Sequence, residues 1–233
     1  MPRLTRPDFT LDPVTLAKSL LGVRLVRKLG GERLVGRIVE TEAYCGPDDK
    51  AAHSVGWRRT NRTEPMYAKA GTSYVFLTYG MHHCFNVVCG DKNEGLDQPV
   101  AILIRALEPL EGIETMRRLR AAPASKNARV RDPKSIRDRD LCSGPAKLCQ
   151  AMSIDRGVNA VDLVSHRSVW LERIGETPEP VRVINAPRVG VDYAEEWAKR
   201  PLRWFVEQSA HVSVRHPNSG GLHPKVEMRR IGV

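Results

Sequence analysis

No apolar run in this 233-residue chain approaches the roughly 20 residues that a membrane-spanning helix requires; the longest clean one is Val100–Ile104. The opening residues, Met1-Pro2-Arg3-Leu4-Thr5-Arg6, lack the apolar core of a secretory signal, which points to a cytoplasmic protein. Cysteine is sparse and odd in number: Cys45, Cys84, Cys89, Cys142 and Cys149. Their irregular spacing argues against a disulfide framework and fits free thiols in a reducing compartment. No CxxC pair exists, and along a strand His82 and Cys84 would face away from His83, so a zinc site on His82-His83-Cys84 with Cys89 is the lesser reading. No GxGxxG or phosphate-loop spacing occurs. Acidic residues are in deficit, 27 against 37 Lys and Arg, a formal net charge of +10, which favours a polyanionic partner.

What is present reads as one α+β domain over residues 1–233. A curved, mostly antiparallel sheet is flanked by helices and carries a protruding β-hairpin. Asp12-Pro13 and Gly22 bracket a short helix, Val14–Leu21, with an Asp cap and Pro at its first position. Val23–Leu29 and Leu34–Tyr44 form a hairpin across Gly30-Gly31. Ser73–Thr78 and Met81–Cys89 are strands joined at Tyr79-Gly80, and Val100–Leu107 is a buried strand. Pro109 is expected to open a helix running to about Arg120. Pro145–Met152 follows as a helix, with strands near Val169–Leu171, Val181–Ile184 and Leu202–Val206. Asp192 with Glu195 resembles a capping box ahead of Tyr193–Lys199. His216–Val233 reads as a loose tail.

Four features carry chemistry. By alternation, Ile38, Glu40, Glu42 and Tyr44 share a strand face, which is either a solvated face or a general-base site. Arg105 ends an apolar run and must meet an anion or carbonyl, as a structural ion pair or as part of an active site; Glu42 is a suitable partner. Tyr79 on a hairpin tip either folds back on the sheet or wedges between bases, and Tyr44, His53 and Phe76 are either core or a stacking box for a flat ligand. Met116–Arg139 holds nine basic residues and two acidic ones, which suits a solvated charge run or a phosphate-contacting loop. Ser143-Gly144-Pro145-Ala146-Lys147 is a weak candidate anion site.

At Gly36-Arg-Ile-Val-Glu-Thr-Glu-Ala-Tyr44, Ala51-Ala-His-Ser54, Tyr79-Gly-Met81, Arg105-Ala-Leu-Glu-Pro-Leu-Glu-Gly112, Leu141-Cys-Ser-Gly-Pro-Ala-Lys-Leu-Cys-Gln150 and Arg188-Val-Gly-Val191, the sequence resembles the alkyladenine (3-methylpurine) DNA glycosylase family. These stretches occur in order across about Leu16–Val214. The resemblance implies an enzyme that flips damaged purines (3-methyladenine, 7-methylguanine, hypoxanthine, ethenoadenine) from double-stranded DNA. It would hydrolyse the N-glycosidic bond without metal or cofactor and leave an abasic site. In those terms Glu42 is the general base and Arg105 helps to position its water. Tyr44, His53 and Phe76 enclose the base, and Asn86 stands at the pocket floor. Tyr79 fills the vacated stack. Met66, Met81, His82, Arg120 and Lys147 lie near DNA, with Val189 and Gly190 in a backbone-contact loop. Phe76 and His82 depart from tyrosines of the mammalian enzyme. A monomer associated with the bacterial nucleoid is expected. The competing readings are a bifunctional lyase using a lysine, a non-catalytic nucleic-acid-binding module, and a metal nuclease using Asp48, Asp49 and His53.

Overall fold

The fold is organised around one long strand. A computed structural model describes residues 1–78, 80–90, 98–123, 131–174, 180–215 and 225–230. In it β2 (Glu32–Tyr44) pairs along one edge with β5 (Ala101–Glu111). Along its other edge it pairs first with β1 (Arg24–Leu29) and then with β8 (Arg203–Val206). β3 (Ser73–Thr78) and β4 (His82–Val88) extend the sheet beyond β5, and β7 (Pro180–Ala186) and β9 (Lys225–Arg230) extend it beyond β8. β6 (Val169–Glu172) pairs with β1. Every pairing is antiparallel, giving the expected α+β class.

The first hairpin forms where the Gly30-Gly31 turn predicts it. The helix expected after Asp12 is Pro13–Ser19 (α2), following a one-turn α1 (Arg6–Phe9). The Asp12 carboxylate accepts from the N–H groups of Val14 and Thr15, both at 3.0 Å, satisfying donors that the first turn leaves open. Leu16 and Ala17 are buried against the sheet, and the Ala17 carbonyl takes the Thr41 hydroxyl at 2.8 Å. On the same face the core continues through Ile38, Ala43, Ile102 and Ile104 to α3 (Ile113–Ala121) and α5 (Pro145–Ala151).

Four expectations need correction. Pro109 opens no helix: β5 runs through it, opposite Gly36, and α3 begins only after Gly112. Proline is tolerated there because the ladder shifts register between Val35 and Gly36. Asp192 and Glu195 build no capping box. Asp192–Lys199 is a kinked 3₁₀ segment, and Glu195 has φ +51° while its carboxylate pairs with Lys50 at 2.5 Å. The basic segment 116–139 is not one loop: Met116 is buried in α3, and Asp138–Leu141 form α4; residues 124–130 lie outside the described set. In the expected tail, Lys225–Arg230 pair with β7, and the other residues of 216–233 lie outside the described set. The alternation Lys-Val-Glu-Met-Arg suits an edge strand, but the preceding Gly-Gly and the charges mask it.

Candidate active site

Two opposed irregularities in the β2–β5 ladder build the site. Ile38 pairs with Leu107 and Glu40 with Ala106, so Val39 is extra on β2; Thr41 then pairs with Ile104, so Arg105 is extra on β5. Bulges re-aim side chains. Ile38 joins the apolar core with Ala43, whereas Glu40 and Glu42 meet Arg105. The expectation that Ile38 shares a face with the glutamates therefore fails at the first bulge, which period-2 counting does not anticipate.

Both carboxylates are fully buried. Glu42 Oε1 accepts the Val189 N–H at 2.8 Å and lies 3.3 Å from Arg105 Nη1. The Tyr44 hydroxyl donates to Glu42 Oε2 at 3.3 Å. Glu40 Oε1 takes Arg105 Nε at 3.1 Å and Arg203 Nη1 at 2.9 Å, and its Oε2 takes the Ser213 N–H at 2.7 Å. Two carboxylates thus face two guanidiniums, the balance a desolvated cluster requires. Burial opposes the charge on Arg105, but Glu42 and Glu40 outweigh it and raise its pKa above the ordinary value. Burial, reinforced by Glu42, pushes the Tyr44 hydroxyl well up, so it remains a donor.

Above this cluster lies a cavity of about 300 Å³. Tyr44, Arg105 and Val189 line it, and each also contacts Glu42. His53, Tyr74 and Phe76 form an aromatic side. The His53 and Phe76 rings meet edge-on at 4.5 Å, and Tyr74 lies tilted at 5.2 Å from Phe76. Burial, aided by Arg62 and Arg58, drops the His53 pKa to about 4, so the ring is neutral near pH 7. Arg62 Nη2, which can only donate, sits 3.3 Å from His53 Nε2. That assigns the ring proton to Nδ1, 2.8 Å from the Tyr74 oxygen. Asn86 is on the cavity lining, its amide nitrogen bonded to the Tyr74 carbonyl at 2.9 Å.

The outlying expected residues separate into two sets. Met81 is 69 % exposed beside the turn at Gly80 (φ +68°), and His82 is exposed next to it; Tyr79 lies outside the described residues. Gly190 is exposed on the cavity rim. Met66, by contrast, is buried with Tyr74, Val88 and Ala101 and forms cavity wall, not an open DNA-facing surface, because the 3₁₀ turn Glu64–Tyr67 packs it inward. Arg120 is half-buried and bonded to the side chain of Gln150, and Lys147 donates to the Ser143 hydroxyl at 3.3 Å.

Several contributors were not singled out from sequence. Arg203, like Arg105, is an arginine inside an apolar strand, so the same signal marks it. Tyr74 is two residues from Phe76 and shares its face by alternation. Asp49, considered above as a metal ligand, is fully buried in a two-pronged pair with Arg188 (2.6 and 2.8 Å) and accepts the Cys45 and Ala51 N–H groups. That pair, formed between distant segments, fixes the loop that delivers the Val189 N–H. No local pattern announces it.

A sequence model of the family described as methylpurine-DNA glycosylase matches residues 7–210. A DNA-3-methyladenine glycosylase of Mus musculus is 48 % identical over 211 residues, 89 % of this chain and 60 % of that protein. One of Homo sapiens is 47 % identical over 213 residues, 91 % of this chain and 68 % of that protein. The chain thus spans about two thirds of the length of these mammalian relatives. A protein of Desulfitobacterium hafniense, described as a candidate 3-methyladenine DNA glycosylase, is 45 % identical over 215 residues, covering 92 % of this chain and all of that protein.

Proposed function

The chain belongs to the methylpurine-DNA glycosylase family, and from that premise we propose that it excises alkylated purines from DNA by a single hydrolytic step. The observation that carries this reading is the buried Glu42 carboxylate, held by Val189, Arg105 and Tyr44 behind an aromatic cavity that suits a flat base.

Extruding a nucleotide costs a few kcal/mol of unpairing and unstacking. Packing the purine against Tyr44, His53 and Phe76 offsets part of that, and a cationic methylated purine gains a further ~0.5–2 kcal/mol from the rings. Such a base also departs neutral, so it needs little help in leaving. Glu42 takes a proton from water as the water attacks the sugar carbon. Arg105 holds the carboxylate in place and compensates its charge. Asn86 at the lining restricts which base edges are accepted. 3-Methyladenine and 7-methylguanine are the primary substrates in this reading, with hypoxanthine and ethenoadenine as neutral ones. Phe76 stacks without a hydroxyl, so it contributes face contact alone.

Among the described residues no lysine lines the cavity, which favours the water route over a Schiff base that needs an amine there. The deciding measurement is release of 3-methyladenine or hypoxanthine from a duplex in chelator, read as alkali-labile sites. Glu42→Gln is expected to lose at least about 10²-fold in rate, in line with losing a general base, while still binding the duplex. Full activity in that variant, or a borohydride-trapped covalent adduct in the parent, would remove this mechanism.

A further inference from the structure

The chain leaving the cavity wall after His53 carries a feature the mechanism does not use. Residues 55–62 are all exposed, yet the loop is built firmly. The Gly56 N–H donates to the Pro47 carbonyl at 2.8 Å, and the Ser54 hydroxyl to the Pro99 carbonyl at 3.0 Å. Arg59 grips Glu64 with two bonds and lies 4.6 Å from the Tyr67 ring. Thr63 accepts the Thr60 N–H at 2.8 Å.

In the middle of this loop stands Trp57, 56 % exposed, with φ +62° directly after Gly56 at +63°. The other three tryptophans, Trp170, Trp197 and Trp204, are buried. Two costs coincide at one residue: a large apolar ring left in water, and a bulky side chain in the left-handed region, where glycine would serve the turn without strain. Among the described residues no side-chain hydrogen bond or ring contact of Trp57 offsets either cost. The surroundings indicate what could. Arg58 and Arg59 follow immediately and Arg62 lies just beyond. Among the described residues Arg58 forms no ion pair, and its charge reaches His53 closely enough to lower that ring's pKa. Arg62 joins the loop to the cavity directly, over Phe76 at 4.9 Å and beside His53.

We propose that Trp57 is a second stacking contact with nucleic acid: its indole packs on a base flanking the extruded purine, and Arg58 engages the adjacent phosphate. An exposed aromatic among arginines beside a base-sized cavity matches how single-stranded or unstacked segments are held, by sequence-tolerant stacking plus cationic contacts. This rests on the reading that DNA enters the cavity.

The test uses the tryptophan itself. In the intact Glu42→Gln protein, which prevents turnover, acrylamide quenching of tryptophan emission is measured alone and saturated with a hypoxanthine-containing duplex. Accessible emission is expected to come from Trp57 and to vanish in Trp57→Phe. The duplex should shield it, lowering the quenching constant severalfold. Trp57→Gly should lose on the order of tenfold in duplex affinity, as loss of one stacked base predicts. Its melting temperature should stay at or above the parent's, because glycine relaxes the turn. Trp57→Phe should keep affinity near the parent's. Unchanged quenching in the complex, parental affinity in Trp57→Gly, or a lowered melting temperature in that variant would each overturn the proposal. Base release by the wild-type chain is scored separately. Shielding without release would sink the glycosylase reading alone, and release without shielding would sink this one alone.

Discussion

Glu40 shows how one buried carboxylate ties several segments of the candidate site together. It touches Arg105, Arg203 and the Ser213 N–H at once, so it fixes the guanidinium that in turn holds Glu42. Glu40→Ala leaves two buried arginines short of an anion and is expected to cost about 3–5 kcal/mol in urea unfolding. Glu40→Gln, which keeps an acceptor, should recover part of that stability but release base more slowly than the parent. Equal stability of Glu40→Ala and parent would mean the arginines find other partners. His53 makes a pH prediction. Its folded pKa is about 4 against an ordinary 6.5, so between those values the unfolded chain takes up a proton that the folded one refuses. Stability should therefore fall as pH drops from about 6.5 to about 4, and His53→Asn should flatten that limb of the urea midpoint–pH curve. Glu42, Arg105, Tyr44, His53, Phe76 and Asn86 can all be singled out from sequence, by charge in an apolar strand or by family motif. The pairings Asp49–Arg188 and Glu40–Arg203 cannot, although Glu40 and Arg203 each carry a signal within their own strand, because each pair joins segments more than a hundred residues apart.

At the scale of elements, the β2–β5 pair decides the site. Its paired bulges put Arg105 out of register with the strand alternation, beside both glutamates. A further close approach holds the pair together at its start: a Cβ at Gly36 would lie 2.8 Å from the Leu107 Cβ. Gly36→Ala should cost about 1–3 kcal/mol by overpacking. In a double-mutant cycle with Leu107→Ala, part of that cost should disappear; strict additivity of the two changes would show that the approach is not limiting. The strands and the capped helix α2 are legible because alternation and capping are local. The bulges, and the passage of β5 through Pro109, are set by the partner strand's shape, which no window of sequence contains.

For the molecule as a whole, the +10 charge divides into spent and available parts. Arg117 pairs with Asp138 and Arg120 with Gln150, tying α3 to α4 and α5, while Arg137 pairs with Asp140 within the first turn of α4 at 2.5 Å. Arg131, Lys134 and Arg139 are exposed, and among the described residues they form no ion pair. Replacing all three by alanine should weaken duplex binding and reduce the slope of log affinity against log salt by about 2–3, at roughly 0.9 for each phosphate no longer neutralised. Arg117→Ala and Arg137→Ala should lower stability and leave that slope nearly unchanged. A triple variant with the parental slope would place DNA elsewhere on the surface.

The sequence by itself determined the α+β class, most strands, the Asp12 cap of α2 and a net charge that favours a polyanionic partner, because these follow from alternation, capping chemistry and summed charge. Each of those is a property of neighbouring residues or of simple counts. The tertiary structure alone decided that two glutamates and two arginines neutralise one another in a desolvated cluster, that Met66 is cavity wall, and that Trp57 stands in water on a strained turn. Burial and ion pairing depend on what distant segments bring to the same place. A side chain's cost or chemistry is therefore fixed only once the chain has folded around it.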